Sequence, residues 1–252
     1  MLFDSIVYGP IHSRRLGVSL GMNLMPTNIK LCTFDCVYCE CGWNQTVSHP
    51  VLPTREEVYS SLNFQLSSLN SQLDVITFSG NGEPTLHPDF LGIIQDTCAL
   101  RDQYCPNAKV SVLSNSTQLG RLDVVEALHL CDNRILKLDS AIDATMQLID
   151  KPLNSHLTVE QIVQWLSQFN GDFTLQTCFL RGEYYGQVID NTTPEELSAW
   201  YDVVYRLHPK QVMIYVIDRA TPLSTLSKVP VHEMETIAQP LRDQGIDVIV
   251  CA

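Results

Sequence analysis

The chain lacks any apolar run approaching the ~18 residues that a membrane-spanning helix requires. Its opening residues, MLFDSIVYGP, also lack the basic stretch and following apolar run of a secretory leader. Basic residues are few, 16 Lys and Arg against 28 Asp and Glu, for a formal net charge of −12. Nucleic-acid binding draws its affinity from Lys and Arg on phosphates, so this balance weighs against a large RNA or DNA footprint. It leaves room only for a small local basic patch. No repeat, low-complexity tract or linker interrupts the 252 residues. No second C-x2-C pair occurs after residue 50, so an auxiliary metal-cluster domain is not expected. These absences together lead us to expect a cytoplasmic protein with no membrane contact, in a reducing setting.

Nine cysteines are present, and three of them crowd into eight residues. In a reducing compartment the other six are expected to be thiols, mostly in the core. Hydrophobic residues make up 45% and charged residues 17%, enough to bury a sizeable core. We expect one domain over residues 1–252, with an N-terminal extension, 1–26, packing on it. Short apolar runs alternate with amphipathic stretches, the pattern of a parallel α/β sheet. Expected strands are Gly17–Leu24, Asp74–Ser79, Lys109–Ser114, Arg134–Leu138, Phe173–Phe179, Gln211–Ile217 and Ile246–Val250. Their Val, Ile, Leu and Phe content suits strands covered on both faces. Thr54 with Glu57, Thr158 with Gln161, and Thr193 with Pro194 and Glu196 read as helix starts, each followed by an apolar stripe. Further helices are expected over Asp89–Gln103, Gly120–Leu130 and Val231–Gln244. Six or seven strand–helix units point to a full or partial β/α barrel, in which loops after the strands' C-terminal ends carry the active site.

The crowded cysteines are Cys32, Cys36 and Cys39 in CTFDCVYC, spaced C-x3-C-x2-C after the first expected strand. Three thiolates on one loop can hold three irons of a [4Fe–4S] cluster and leave the fourth open to a ligand. A structural zinc site is the alternative, with Cys41 as fourth thiolate folding back onto the same ion. After the next strand comes SGNGEPTLHPDF, Ser79–Phe90, where glycines let backbone approach a ligand closely. Its bland reading is an ordinary Gly-Pro turn. Later strand ends carry Ser114 and Asn115, Lys137 and Asp139, Arg181, and Tyr215 with Asp218, side chains that would converge on one mouth. Bland readings stand beside them: a turn former at Asn115 and a solvated charge at Lys137. Asp139 is favoured as functional, being a carboxylate beside an apolar strand. Ser13, Arg14 and Arg15 could contact an anion or be surface residues. Cys98, Cys105, Cys131, Cys178 and Cys251 read as core or surface thiols, His49 and His87 as loop residues, and Trp43 as a shield beside the cysteine loop.

The string C-x3-C-x-aromatic-C, with Tyr38 as the aromatic, resembles the signature of the radical S-adenosylmethionine enzymes. The order of strands and helices is similar to that family's partial (β/α)6 barrel of parallel strands. The resemblance implies that Cys32, Cys36 and Cys39 ligate the [4Fe–4S] cluster and that the open iron takes the methionine part of S-adenosylmethionine. It implies that Tyr38 packs near the adenine. Gly80 through Pro84 resembles the family's GGEP motif, which holds the cofactor's amino group. Gly82, Glu83 and Pro84 match, and Asn81 replaces the first glycine of the pair, with Gly80 still preceding it. The Ser114–Asn115 and Asp139–Ser140 regions would approach the ribose or methionine part, Tyr215 would belong to the same cofactor site, and Arg181 would partner a carboxylate. Together with HSRRLGVSLGMNLMP, these motifs resemble the iron–sulfur oxidoreductases related to wybutosine-biosynthesis enzymes. The implied activity is reductive cleavage of the cofactor to a 5′-deoxyadenosyl radical that abstracts hydrogen from a substrate. A one-electron donor such as flavodoxin or ferredoxin is implied as partner. The substrate is a small molecule, a peptide or a protein, with tRNA base modification and glycyl-radical-type activation as alternatives. A non-catalytic zinc or electron-transfer protein is the reading from another class.

Overall fold

A computed structural model describes residues 2–13, 16–45, 47–69 and 72–251. Arg14 and Arg15 lie outside the described residues. The chain forms two compact units, Met1–Cys32 with Asn44–Ile135, and Thr33–Trp43 with Leu136–Ala252.

In the first unit, β1 (Val7–Ser13) pairs antiparallel with β2 (Gly17–Asn23), which runs parallel to β3 (Val75–Ser79), itself parallel to β4 (Lys109–Ser114). The start of β5 (Asn133–Lys137) lies next to β4. Helices α1 (Arg55–Ser68), α2 (Phe90–Tyr104) and α3 (Leu122–Leu130) follow β2, β3 and β4. The α1 start is a complete capping box: Glu57 N–H donates to Thr54 Oγ1 at 3.2 Å and Thr54 N–H to Glu57 Oε2 at 2.7 Å. Val58, Leu62 and Leu66 then bury one face. Leu20, Met22, Ile76, Phe78, Val110 and Val112 are fully buried, as both-faces-covered strands require.

In the second unit, the end of β5 lies next to β6 (Thr174–Cys178). After α4 (Asp143–Asp150) and α5 (Val159–Leu166), β6 leads into the hairpin of β7 (Leu180–Tyr184) and β8 (Gln187–Asp190). Then come α6 (Pro194–Leu207), β9 (Gln211–Tyr215), β10 (Ser227–Lys228), α7 (Val231–Asp243) and β11 (Asp247–Cys251). β6, β9 and β11 are parallel, and β10 joins β7 antiparallel in a separate three-stranded sheet. The class is α/β with mostly parallel main-sheet strands, a partial β/α barrel as expected from the sequence.

The seven expected strands all form, with ends moved by up to a few residues. β1 and the β7–β8 hairpin were not foreseen. β1 is mostly exposed and holds a Gly-Pro pair, so it shows neither apolar alternation nor an apolar run. The hairpin turns on Tyr185 and Gly186, both at positive φ (49° and 80°), the geometry that Asn-Gly usually signals and Tyr-Gly conceals. At α6, Thr193 Oγ1 accepts the Glu196 N–H at 3.3 Å, but the buried Glu196 carboxylate turns instead to Ser140 (2.7 Å) and Thr145.

Trp200 of α6 is 1% exposed, donates its indole N–H to Thr177 Oγ1 at 3.0 Å, and stands edge-on to Phe179. Replacing Trp200 by Ala should destabilise the chain by about 3–5 kcal/mol in urea unfolding. A loss below about 1 kcal/mol, the scale of a typical point mutant, would contradict this packing.

Candidate cofactor site

Cys32 follows Leu31, whose backbone is docked onto the Gly80–Pro84 loop of the same unit. Leu31 N–H donates to Asn81 O at 2.9 Å, and Glu83 N–H donates to Leu31 O at 3.1 Å. Only glycine fits at 82: it sits at φ +150°, and a Cβ there would lie 1.8 Å from the Leu31 carbonyl oxygen. Asn81, the residue that departs from the GGEP pattern, is fully buried. Its Oδ1 accepts from Phe3 N–H (2.8 Å) and its Nδ2 donates to Phe3 O (2.7 Å) and Pro26 O (2.9 Å). Its side chain thus ties residues 3 and 26 to the loop.

Glu83 is likewise turned inward. It accepts from Asn115 N–H at 2.6 Å and from the Thr85 N–H and hydroxyl at 3.1 and 2.5 Å. Burial raises its pKa, and these donors work against that rise. Pro84 begins a buried 3-10 turn, Pro84–Leu86. Asn115 spends its Oδ1 on Thr117 and points its Nδ2 at Cys32 Sγ, 3.4 Å away. Ser114 is buried, with its hydroxyl accepting from Ser116 N–H at 3.1 Å. Three of the expected cofactor residues, Gly82, Glu83 and Asn115, therefore form one brace behind Cys32.

Cys36 and Cys39 belong to the second unit. They sit on a tight turn in which Cys39 N–H donates to Cys36 O at 3.1 Å. The segment is pinned to the end of α4 by Asp35 N–H to Asp150 O and Val37 N–H to Ile149 O, each 2.9 Å. Cys36 is buried, and Lys137 at the end of β5 reaches its Sγ at 3.2 Å. Lys137 also pairs with Asp139 at 3.1 Å and with Asp150, and lies 4.8 Å over the Phe34 ring. Burial by itself would lower the ammonium's pKa, but the two carboxylates outweigh it and hold it well above the ordinary lysine value. Burial pushes the Asp150 carboxyl up to about 7 against the pull of Lys137. The bland reading of Lys137 as a solvated charge does not hold, because its side chain is buried.

Tyr38 donates its hydroxyl to Asp139, and Tyr215 approaches that hydroxyl at 3.4 Å. Burial first, and then the Asp139 carboxylate, keep the Tyr38 phenol protonated. Asp139 accepts Cys178 N–H at 2.9 Å, and Asn191 clamps the Asp139 and Cys178 carbonyls at 2.8 Å each. Sequence reasoning missed Asp150 and Asn191. Asp150 ends an apolar helix face in LID, a weak signal, and Asn191 reads as a turn residue. Arg181, expected at the cofactor as a carboxylate partner, pairs here with the chain's own Glu233 (2.6 and 3.2 Å) and also bonds Thr192. The Cys178 thiol is buried, and burial first and then the Asp139 carboxylate raise its pKa well above the ordinary value.

Among the described residues no three His, Cys, Asp or Glu side chains are already gathered in metal-binding geometry. The donor chemistry nevertheless fits a thiolate-bound cluster: N–H groups are aimed at the sulfurs of Cys32 and Cys36, as they are around iron–sulfur centres.

No family model matches the chain. A UPF0026 protein of Synechocystis sp. is 30% identical over 224 residues, covering 86% of this chain and 77% of that protein. The chain belongs to the UPF0026 family. A protein of Brachyspira hyodysenteriae named GTPase Obg is 29% identical over 235 residues, which is 91% of this chain. The chain spans only 32% of that protein and contains no Gly-Lys pair, so the phosphate-binding P-loop pattern is absent from it. Among solved structures, SuiB of Streptococcus suis bound to S-adenosylmethionine superposes with a TM-score of 0.65 at 12% identity, covering 92% of this chain and 50% of that one. TYW1 with a lysine-pyruvate adduct bound gives 0.64 at 15%, covering 91% and 75%. The chain shares its fold with these two proteins.

Each unit yields a test of its own contacts. Gly82→Ala should cost about 1–3 kcal/mol by thermal or urea unfolding, through displacement of Leu31. Wild-type stability in that variant would mean the loop does not need the close approach. Lys137→Met leaves two carboxylates buried without their cation and should cost about 3–5 kcal/mol in the metal-free chain. Adding Asp150→Asn should restore a large part of that loss. Equal stability of the single and double variants would contradict the charge network.

Proposed function

We propose that the chain is a radical S-adenosylmethionine oxidoreductase whose Cys32, Cys36 and Cys39 ligate a [4Fe–4S] cluster. The observation that carries this reading is the pair of N–H groups donated to loop sulfurs, from Asn115 to Cys32 and from Lys137 to Cys36. Held by those three thiolates, such a cluster would supply the electron for reductive cleavage of S-adenosylmethionine. The chain's residues bind, orient and exclude water. Asn115 and Lys137 draw electron density from the ligand sulfurs, which makes reduction easier. Val37, Ile149, Cys178, Leu180 and Ile189 form a dry cluster with Tyr38 and Trp43 packed on it. Asn81 and Glu83 commit their side chains inward, so the loop offers the cofactor's amino group its backbone carbonyls. Arg181 would have to exchange Glu233 for the cofactor's carboxylate.

The acidic balance favours a small molecule or peptide as substrate over tRNA. SuiB, with the same fold, has been solved bound to a precursor peptide, which supports the peptide branch. A flavodoxin or ferredoxin would deliver the electron. No helix among the described residues is long and apolar enough to cross a membrane. All nine cysteines are thiols, which suits a cytoplasmic setting.

Anaerobic reconstitution should give about four irons and four acid-labile sulfides per chain. Under a chemical reductant the product should form 5′-deoxyadenosine from S-adenosylmethionine, and Cys36→Ala should abolish it. Zinc without sulfide, or a Cys36→Ala chain cleaving at the wild-type rate, would overturn the reading.

A further inference from the structure

The second unit contains a cavity of about 530 Å³, within the range of small-ligand sites. One wall comes from the cysteine loop, through Trp43, and another from the hairpin tip, through Tyr184 and Tyr185. Pro222 and Leu223, from the segment between β9 and β10, add apolar surface. None of these five residues belongs to the cofactor set named above.

Charge does not select the guest. Lys151, Asp35 and Glu183 line the cavity together, so both signs are present. The Lys151 ammonium lies 4.5 Å over the Tyr184 ring, so the chain's own cation already takes the attraction that this π-face offers. What remains is ring surface. The Trp43 and Tyr184 rings lie 6.2 Å apart, tilted at 45°, and Tyr185 stands edge-on to Tyr184 at 4.6 Å. Aromatic rings meet favourably in offset and edge-on arrangements of this kind, and a further ring can join them in the same way. Trp43, Tyr184 and Leu223 are packed against the dry cluster that includes Val37 and Cys178, so these walls stand in place before any ligand arrives.

Tyr185 is set differently. It is 90% exposed and sits at φ 49°, in the left-handed region where so bulky a side chain is strained. Burial does not reward the ring, and the turn would form more readily on asparagine. A large ring placed at a cavity edge against the preference of its own backbone is accounted for by a ligand that covers it.

We propose that this cavity binds a planar aromatic group, presented either as a small molecule or as the side chain of a peptide. The guest ring stands among Trp43, Tyr184 and Tyr185, with Pro222 and Leu223 beside it. Val37, in the cluster behind these walls, lies between Cys36 and Tyr38, so the site is backed by the turn that carries two of the cysteines. The hairpin and the cysteine loop thereby recognise a feature that the cofactor site does not touch. Binding here needs no iron on the cysteines, so it is measured on the full chain both with and without reconstituted cluster. Failure of the cluster reading then leaves this result intact, and the reverse.

The test is titration calorimetry with blocked phenylalanine, tyrosine and tryptophan amides, and with indole and p-cresol as free rings. Blocked cyclohexylalanine amide and 4-methylcyclohexanol serve as counterparts of similar size without a π-system. The best aromatic probe should bind about threefold or more tighter than its saturated counterpart. Tyr185→Asn should weaken the aromatic probes by a similar factor, yet unfold at or above the wild-type temperature, since asparagine suits the left-handed turn. Loss of stability together with loss of binding would instead mark the ring as part of the fold. Binding of the free rings alone assigns a small molecule, and binding of the amides assigns a peptide-competent site. Equal affinity for the saturated counterparts, unchanged affinity in Tyr185→Asn, a lower unfolding temperature for that variant, or no heat from any probe at millimolar concentration would overturn the proposal.

Discussion

The Lys137 ammonium is a buried charge with three dependants. It faces Cys36 sulfur, Asp139 and Asp150, and it is covered by the rings of Phe34 and Tyr38. Taking an ammonium out of water costs several kcal/mol unless partners compensate. Here the compensation comes from groups that themselves could not be buried alone. Two carboxylates and one ammonium leave an excess negative charge, which burial relieves by raising the Asp150 carboxyl's affinity for a proton. The Tyr38 hydroxyl donates to the same Asp139 oxygen, Oδ2, that Lys137 faces, and the Cys178 N–H donates to the other, Oδ1, so both oxygens of that carboxylate have protein partners. The turn carrying Cys36 and Cys39 is therefore held in the second unit by electrostatics as much as by its backbone bonds to α4.

The first unit solves the same task with backbone groups and a single buried carboxyl, Glu83. Cys32 is placed by Leu31, Leu31 by the backbone of Asn81 and Glu83, and Glu83 by Asn115 and Thr85. No charged pair enters this chain of contacts; its precision rests on a missing side chain at Gly82. The two strategies respond differently to substitution. Charge removal in one unit can be offset by a second charge removal, whereas a methyl group at residue 82 has no simple complement.

Much of this was legible in the sequence, for identifiable reasons. The capping Thr residues and the apolar strands are local signals, and each appears where its pattern placed it. Lys137 was legible as a residue at a strand end but not as buried, because its partners Asp139 and Asp150 are brought together only by the turn after β5 and the path of α4. Asn81 looked like a mild departure within a binding loop, since the backbone groups it contacts lie 78 and 55 residues away. The hairpin was hidden by a tyrosine where turn chemistry favours asparagine. Side chains that serve distant backbone leave no periodic trace.

The Asn81 amide reads only main-chain groups, the N–H and C=O of residue 3 and the C=O of residue 26. Nothing in that recognition depends on which side chains stand at those two positions, only on the path of the chain through them. The demand is thus lopsided around the loop: this contact asks nothing of the side chains at 3 and 26, while the amide at 81 stores the address of both.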